Sequence, residues 1–116
     1  LESFRELFPS RGVLLFGSVA GKRPLDMARV LAPAFERIVI TTPGVFKQSD
    51  PASLWHIFRE HNPAVELEPD PARALDRALE LSQGRLPVLV TGSFYLLGEI
   101  KKALSARGDS LALPVL

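Results

Sequence analysis

The chain has 116 residues, 47% of them hydrophobic, enough for one buried core and too few for two ordinary domains. Fourteen Lys and Arg stand against thirteen Asp and Glu, interspersed and summing to +1, so no basic tract marks a nucleic-acid interface. The lack of cysteine excludes disulfides, thiolate zinc sites and a cysteine nucleophile, no apolar run nears the roughly 20 residues of a membrane helix, and the amino end resembles no signal peptide. The expectation is a single soluble domain of the reducing cytoplasm, without nucleic-acid or membrane partners.

In chain order, Val13 to Phe16 is a short apolar run that reads as a strand. A helix is expected from Pro24 to about Ala32, where Pro33 ends or kinks it, and a second strand from Arg37 to Thr41. Asp50-Pro51-Ala52 supplies cap, first-turn proline and good helix former; Leu54, Ile57 and Phe58 form the inner stripe, and the helix stops near Asn62-Pro63. Val65 to Leu67 is a third strand. Asp70-Pro71-Ala72 repeats the start signal for a helix with Ala74, Leu75, Ala78, Leu79 and Ser82 on one stripe, ended by Gln83-Gly84.

Leu86 to Val90 then reads as a strand buried on both faces, reversed by Thr91-Gly92-Ser93 into a helix carrying Leu96, Leu97, Ile100, Ala103 and Leu104. After a turn at Arg107-Gly108-Asp109, residues 111–116 (Leu-Ala-Leu-Pro-Val-Leu) could add an edge strand, since the proline suits an edge better than a centre. Strands alternating with helices of about ten residues define the α/β class. The expected fold is a three-layer Rossmann-like domain, a mainly parallel sheet with helices on both faces.

In such a sheet, ligands bind beyond the carboxyl ends of the strands. Three loops are expected to meet there: Gly17 to Arg23, Thr41 to Lys47, and Thr91-Gly92-Ser93. Their small residues, hydroxyls and Lys22 suit a carboxylate or phosphate. Ser93 opens a helix whose free N–H groups and positive dipole end favour an anion, although it reads equally as a cap, and Lys22 equally as a solvated loop residue. Thr41 and Thr42 read first as strand-end and turn residues, and second, with Gly17 and Ser18, as the edge of a site.

Gly17 to Lys22 is no phosphate loop: three residues separate Gly17 from Gly21, and Arg23 follows Lys22. No dinucleotide fingerprint appears. His56 and His61 share a helix without ligand-spaced partners, so no metal site is expected, and no nucleophile stands beside a base. Trp55 and Phe46 read as core or rim residues before they read as a pocket floor.

Residues 88–100, Val-Leu-Val-Thr-Gly-Ser-Phe-Tyr-Leu-Leu-Gly-Glu-Ile, resemble the late strand-to-helix motif of folylpolyglutamate synthase and dihydrofolate synthase, members of the Mur ligase superfamily. Leu14-Leu15-Phe16-Gly17 with Lys22, Arg37-Ile38-Val39-Ile40-Thr41-Thr42-Pro43, and Asp70-Pro71-Ala72-Arg73-Ala74-Leu75 resemble further family segments in order and spacing, across residues 1–104. The resemblance implies the carboxyl-terminal, glutamate-receiving domain of an ATP-dependent ligase. In this family ATP converts a folate or dihydropteroate carboxylate into an acyl phosphate, which the amino group of L-glutamate attacks.

By the same resemblance, Lys22 and Ser93, with Thr91 and Gly92, would hold the carboxylate of the incoming glutamate, orienting it without transferring a proton. ATP and Mg2+ would be bound mainly by an amino-terminal domain that this sequence lacks. No cofactor is expected to bind tightly here, no residue is expected to be catalytic, and the chain alone is expected to be inactive. The family aspartates flanking the loop lysine are here Gly21 and Arg23, which makes the loop more positive. The family's Asp-Gly-Ala-His-Asn-Pro segment, its first strand in this domain, is expected upstream of Leu1, so an inner sheet edge could self-associate or accept residues 111–116. The competing reading is a free-standing anion-binding or regulatory α/β module; a receiver is disfavoured because acidic residues are missing after the first strand.

Overall fold

The computed structural model describes residues 11–18, 23–43, 49–92 and 94–107. Among them, four strands and four helices alternate: β1 (Val13–Phe16), α1 (Pro24–Leu31), β2 (Arg37–Ile40), α2 (Pro51–Arg59), β3 (Val65–Leu67), α3 (Pro71–Ser82), β4 (Val88–Thr91) and α4 (Phe94–Arg107). All strand pairs are parallel, in the order β3-β2-β1-β4. Val13, Leu14, Leu15 and Phe16 of β1 sit opposite Arg37 to Ile40 on one side and Val88 to Thr91 on the other.

Strand alternation divides the apolar residues between two cores. Leu14, Phe16, Ile38, Ile40 and Leu89 face Ala28 and Ala32 beside α1 and Leu54 and Phe58 of α2, with the Phe16 and Phe58 rings 4.8 Å apart. Val13, Leu15, Val39, Val88 and Val90 face Ala74, Leu75 and Ala78 of α3 and Leu96, Ile100 and Leu104 of α4. Two helices on each face give the three-layer Rossmann-like arrangement. Near-continuous apolar strands follow from being covered on both sides.

The helix starts follow from their first residues. Asp50 accepts from the Ser53 N–H at 3.1 Å and the Ser53 hydroxyl at 2.7 Å, bonds that hold its carboxyl below the usual carboxylate range. Asp70 accepts from the Arg73 N–H at 3.0 Å. Pro51 and Pro71 fill the first helical position, where no N–H is needed. At the other end of α3, the left-handed turn begins one residue earlier than glycine would place it, at Gln83 with φ 53°, and continues through Gly84 at 68°.

Several boundaries differ from the sequence reading: β2 ends at Ile40, one residue before Thr41, and α2 ends at Arg59, short of Asn62-Pro63. Pro33 does not stop the chain's coiling: α1 ends at Leu31 and tightens into a 3-10 turn over Ala32–Ala34. The fourth strand starts at Val88 because Pro87 has no N–H for the ladder, though its carbonyl accepts from the Val13 N–H at 2.8 Å. α4 runs to Arg107. Gly108, Asp109 and residues 111–116 lie outside the described residues.

Two polar ties join the layers. Buried Asn62 donates from Nδ2 to the Ala32 carbonyl at 2.8 Å and the Phe35 carbonyl at 2.9 Å, while its Oδ1 accepts from the Ala64 N–H at 2.8 Å. One side chain thus satisfies the end of the 3-10 turn and the entry to β3. Across the other face, Arg77 of α3 grips Glu66 of β3 with two bonds, Nε to Oε1 at 2.8 Å and Nη2 to Oε2 at 3.0 Å, and Arg37 adds a 3.5 Å contact. The hydrogen bond from Arg77 is the main reason the Glu66 carboxyl is held below its ordinary range, against the opposing effect of burial.

Replacing Asn62 with Ala leaves buried carbonyls unpaired and is expected to cost about 2–4 kcal/mol in urea unfolding; a change within error would show that water substitutes freely. Glu66 binds its proton less readily when folded, so its stabilisation is complete above the ordinary glutamate range and is lost as pH falls through the lowered folded-state value. The stability difference between the parent and Glu66→Gln, followed by thermal melting at stepped pH, should therefore shrink on acidification. A difference independent of pH would refute the linkage.

Candidate functional site at the carboxyl edge of the sheet

The strand order reverses between β1 and β4. The crossovers through α1 and α2 step to one side of β1, and the crossover through α3 returns past β1 to the other. A reversal of this kind leaves a gap between the loops that leave the two strands, and in open α/β sheets ligands gather there.

Here the gap is closed at its base by backbone. A Cβ built on Gly92 would lie 2.4 Å from the Gly17 carbonyl oxygen, and Gly92 has φ 116°, where side chains are strained. A Cβ on Gly17 would meet the Thr41 carbonyl oxygen at 3.0 Å and Leu96 Cδ2 at 3.2 Å. The two glycines let the first and last loops touch, backbone against backbone, with the start of α4 packed beneath. The Gly17 N–H donates to the Thr91 carbonyl at 3.3 Å and the Thr41 N–H to the Phe16 carbonyl at 2.9 Å, which extends the ladder one residue past β1 on each side.

The threonine hydroxyls at this edge take the first of the two roles read from the sequence. Thr41 and Thr42 both donate to the Pro69 carbonyl, at 3.3 and 2.8 Å. Their protons therefore tie the end of β2 to the loop before α3, as strand-end and turn residues. That loop is a fourth contributor to the edge, overlooked by the three-loop reading, although the strand and helix flanking Glu68-Pro69-Asp70 announce it. Ser18 is buried beside Gly17, and Thr91 and Gly92 are half-buried at the end of β4. Lys22 and Ser93 lie outside the described residues, as do Gly21 and Phe46.

Gly17, Ser18, Thr41, Thr42, Thr91 and Gly92 are thus brought to one edge, with backbone groups of β1, β2 and β4 at its floor. Trp55 lies away from it, its indole N–H donating to the Val65 carbonyl at 2.9 Å and its ring against His56, so it belongs to the rim of the sheet. Among the described residues, no three His, Cys, Asp or Glu side chains cluster to hold a metal ion, and no helix is long and apolar enough to cross a membrane.

The fold and edge define a three-layer, doubly wound α/β domain with its candidate site at the switch point. No protein-family model matches the sequence, and no curated protein does. Solved structures do match in three dimensions, and they are of folylpolyglutamate synthase. The Thermotoga maritima enzyme superposes with a TM-score of 0.76 at 24% identity, over 91% of this chain and 24% of that one. The Mycobacterium tuberculosis enzyme complexed with ADP and AMPPCP superposes with a TM-score of 0.77 at 20% identity, over 87% of this chain and 25% of that one. The fold is that of the carboxyl-terminal domain of folylpolyglutamate synthase, and the chain spans about a quarter of the length of these enzymes.

The glycine contact makes a sharp stability prediction. Gly92→Ala, both strained in φ and blocked by Gly17, is expected to destabilise by more than about 2 kcal/mol. Gly98→Ala, in α4 with nothing within 4 Å of the added atom, should instead stabilise by about 0.5–1 kcal/mol. Similar denaturation midpoints for the two variants would refute the close approach at Gly92.

Proposed function

We propose that this chain is the glutamate-receiving domain of an ATP-dependent ligase that adds L-glutamate to folate or dihydropteroate through an acyl phosphate. The observation that carries the reading is the superposition on folylpolyglutamate synthase over nine-tenths of the chain, with the motif of residues 88–100 falling on the β4–α4 junction. In this reading Lys22 supplies an ammonium and Ser93 a hydroxyl at a helix start, both aimed at the glutamate carboxylate. Thr91 and Gly92 shape the turn between them. The pair acts by orientation, presenting the amine to the activated carboxylate.

ATP and Mg2+ belong elsewhere in this scheme. The β1 loop sequence has no phosphate-loop pattern, and among the described residues no three His, Cys, Asp or Glu side chains cluster, which supports this division of roles. The remainder of the enzyme would bind them and close onto the carboxyl edge of this domain. Folylpolyglutamate synthesis, dihydrofolate synthesis and a bifunctional enzyme all fit the chain equally.

The test is kinetic. In the complete enzyme, Lys22→Ala and Ser93→Ala should each raise the KM for glutamate about tenfold or more, the loss of one bond to a charged group, with kcat largely kept. Unchanged KM values would remove both residues from the site. The isolated 116-residue chain supplied with ATP, glutamate and dihydropteroate should release no phosphate, and measurable hydrolysis would contradict the assignment of activation to another domain.

A further inference from the structure

The loop before α3 is firmly held. The Glu68 N–H donates to the Ile40 carbonyl at 2.9 Å, the Glu68 carboxylate accepts from the Asp70 N–H at 3.0 Å, and Asp70 in turn caps α3 through the Arg73 N–H. Pro69 and Pro71 fix their own φ angles, and each restricts the residue before it. The Pro69 carbonyl is therefore an acceptor of fixed position, and its two lone pairs take the Thr41 and Thr42 hydroxyls together.

A hydroxyl carries one proton. Thr41 and Thr42 give theirs to Pro69 and have none left for an anion in the same geometry, so their part at this edge is one of placement. Thr41 is fully buried, whereas Thr42, bonded at the shorter 2.8 Å, is half-buried. The backbone they hold lies against the glycine pair. A Cβ on Gly17 would meet the Thr41 carbonyl oxygen at 3.0 Å and the Thr42 carbonyl carbon at 3.3 Å, and a Cβ on Gly92 would overlap the Gly17 carbonyl, so residues 41 and 42, Gly17 and Gly92 stack without slack. In the sequence Gly17 opens the segment that leads to Lys22, and Gly92 immediately precedes Ser93.

We propose that Thr42 is a positioning residue for the anion site at the β4–α4 junction: its bond to Pro69 holds the end of β2 against Gly17 and, through Gly17 and Gly92, sets the spacing of the roots from which the segments of Lys22 and Ser93 leave. This role rests on the glutamate-receiving reading and adds to it a residue that acts without touching substrate. With the hydroxyl gone, the end of β2 is free to draw away from Gly17, and the two roots lose their fixed separation.

Kinetics of the complete enzyme test this. Thr42→Val, which nearly keeps the shape and removes the donor, should raise the KM for glutamate about three- to tenfold, the scale of one neutral hydrogen bond, with kcat largely kept. Thr42→Ala, which also lacks the hydroxyl, should act in the same direction, and Thr42→Ser should restore the parent value. In a Ser93→Ala background, Thr42→Val should raise KM by a smaller factor than in the parent, because part of what it positions is gone. An unchanged KM in Thr42→Val and Thr42→Ala where Ser93→Ala raises it, a fall in kcat alone, failure of serine to restore the parent value, or an equal factor in both backgrounds would each overturn the positioning role and leave the glutamate reading standing. An unchanged KM in the Lys22, Ser93 and Thr42 variants alike would overturn that reading and this role with it.

Discussion

The contact on which the arrangement depends is between two glycines. β1 lies at the centre of the edge, hydrogen-bonded to β2 on one side and β4 on the other, and its chain must leave the sheet over a crowded rim. Gly17 leaves beneath the Thr41 carbonyl and against Leu96, and Gly92 passes within what would be 2.4 Å of the Gly17 carbonyl if it carried a side chain. The first and last loops are held together by the absence of atoms. Leu96 at the start of α4 can pack against Gly17 because of it, and the amino end of that helix is directed to the same edge as the Thr41 and Thr42 hydroxyls.

The rest of the domain supports that edge from behind. The aliphatic residues of β1, β2 and β4 are buried on both faces, so the strands cannot shift register without moving every side chain to the wrong core. Asn62 fixes where the chain emerges from the 3-10 turn, and Glu66 with Arg77 fixes α3 against β3. The Pro69 carbonyl, accepting from both Thr41 and Thr42, carries that rigidity from α3 back to the end of β2. The candidate site rests on a frame whose joints are backbone contacts and short side-chain ties.

The frame was readable in the sequence because its signals are local. Asp50-Pro51 and Asp70-Pro71 each place a cap and a proline where only a helix start uses both, and the apolar runs of β1, β2 and β4 are too short for buried helices. What was not readable depends on distant partners. Asn62 looks like a helix stop until Ala32 and Phe35 are brought beside it. Thr41 and Thr42 read as strand-end and turn residues, but their acceptor, the Pro69 carbonyl, is named only by the fold, and Gly92 reads as a chain reversal whose tight contact with Gly17 no local pattern announces. The 3-10 turn at Pro33 is local but sits between the two behaviours a proline is expected to impose, an end or a kink.

The placement of Trp55 has an optical consequence. It is the only tryptophan in the sequence. Its indole bridges α2 to the outermost described strand through the Val65 carbonyl, with Arg59 5.0 Å over the ring and His56 against its edge. The tryptophan emission of the intact protein therefore comes from one rim of the sheet alone. Detachment of β3 would wet the indole and place it beyond its neighbours while the glycine contact across the sheet stayed closed. Fluorescence would then register the opening of that rim as an event separate from the loss of the core.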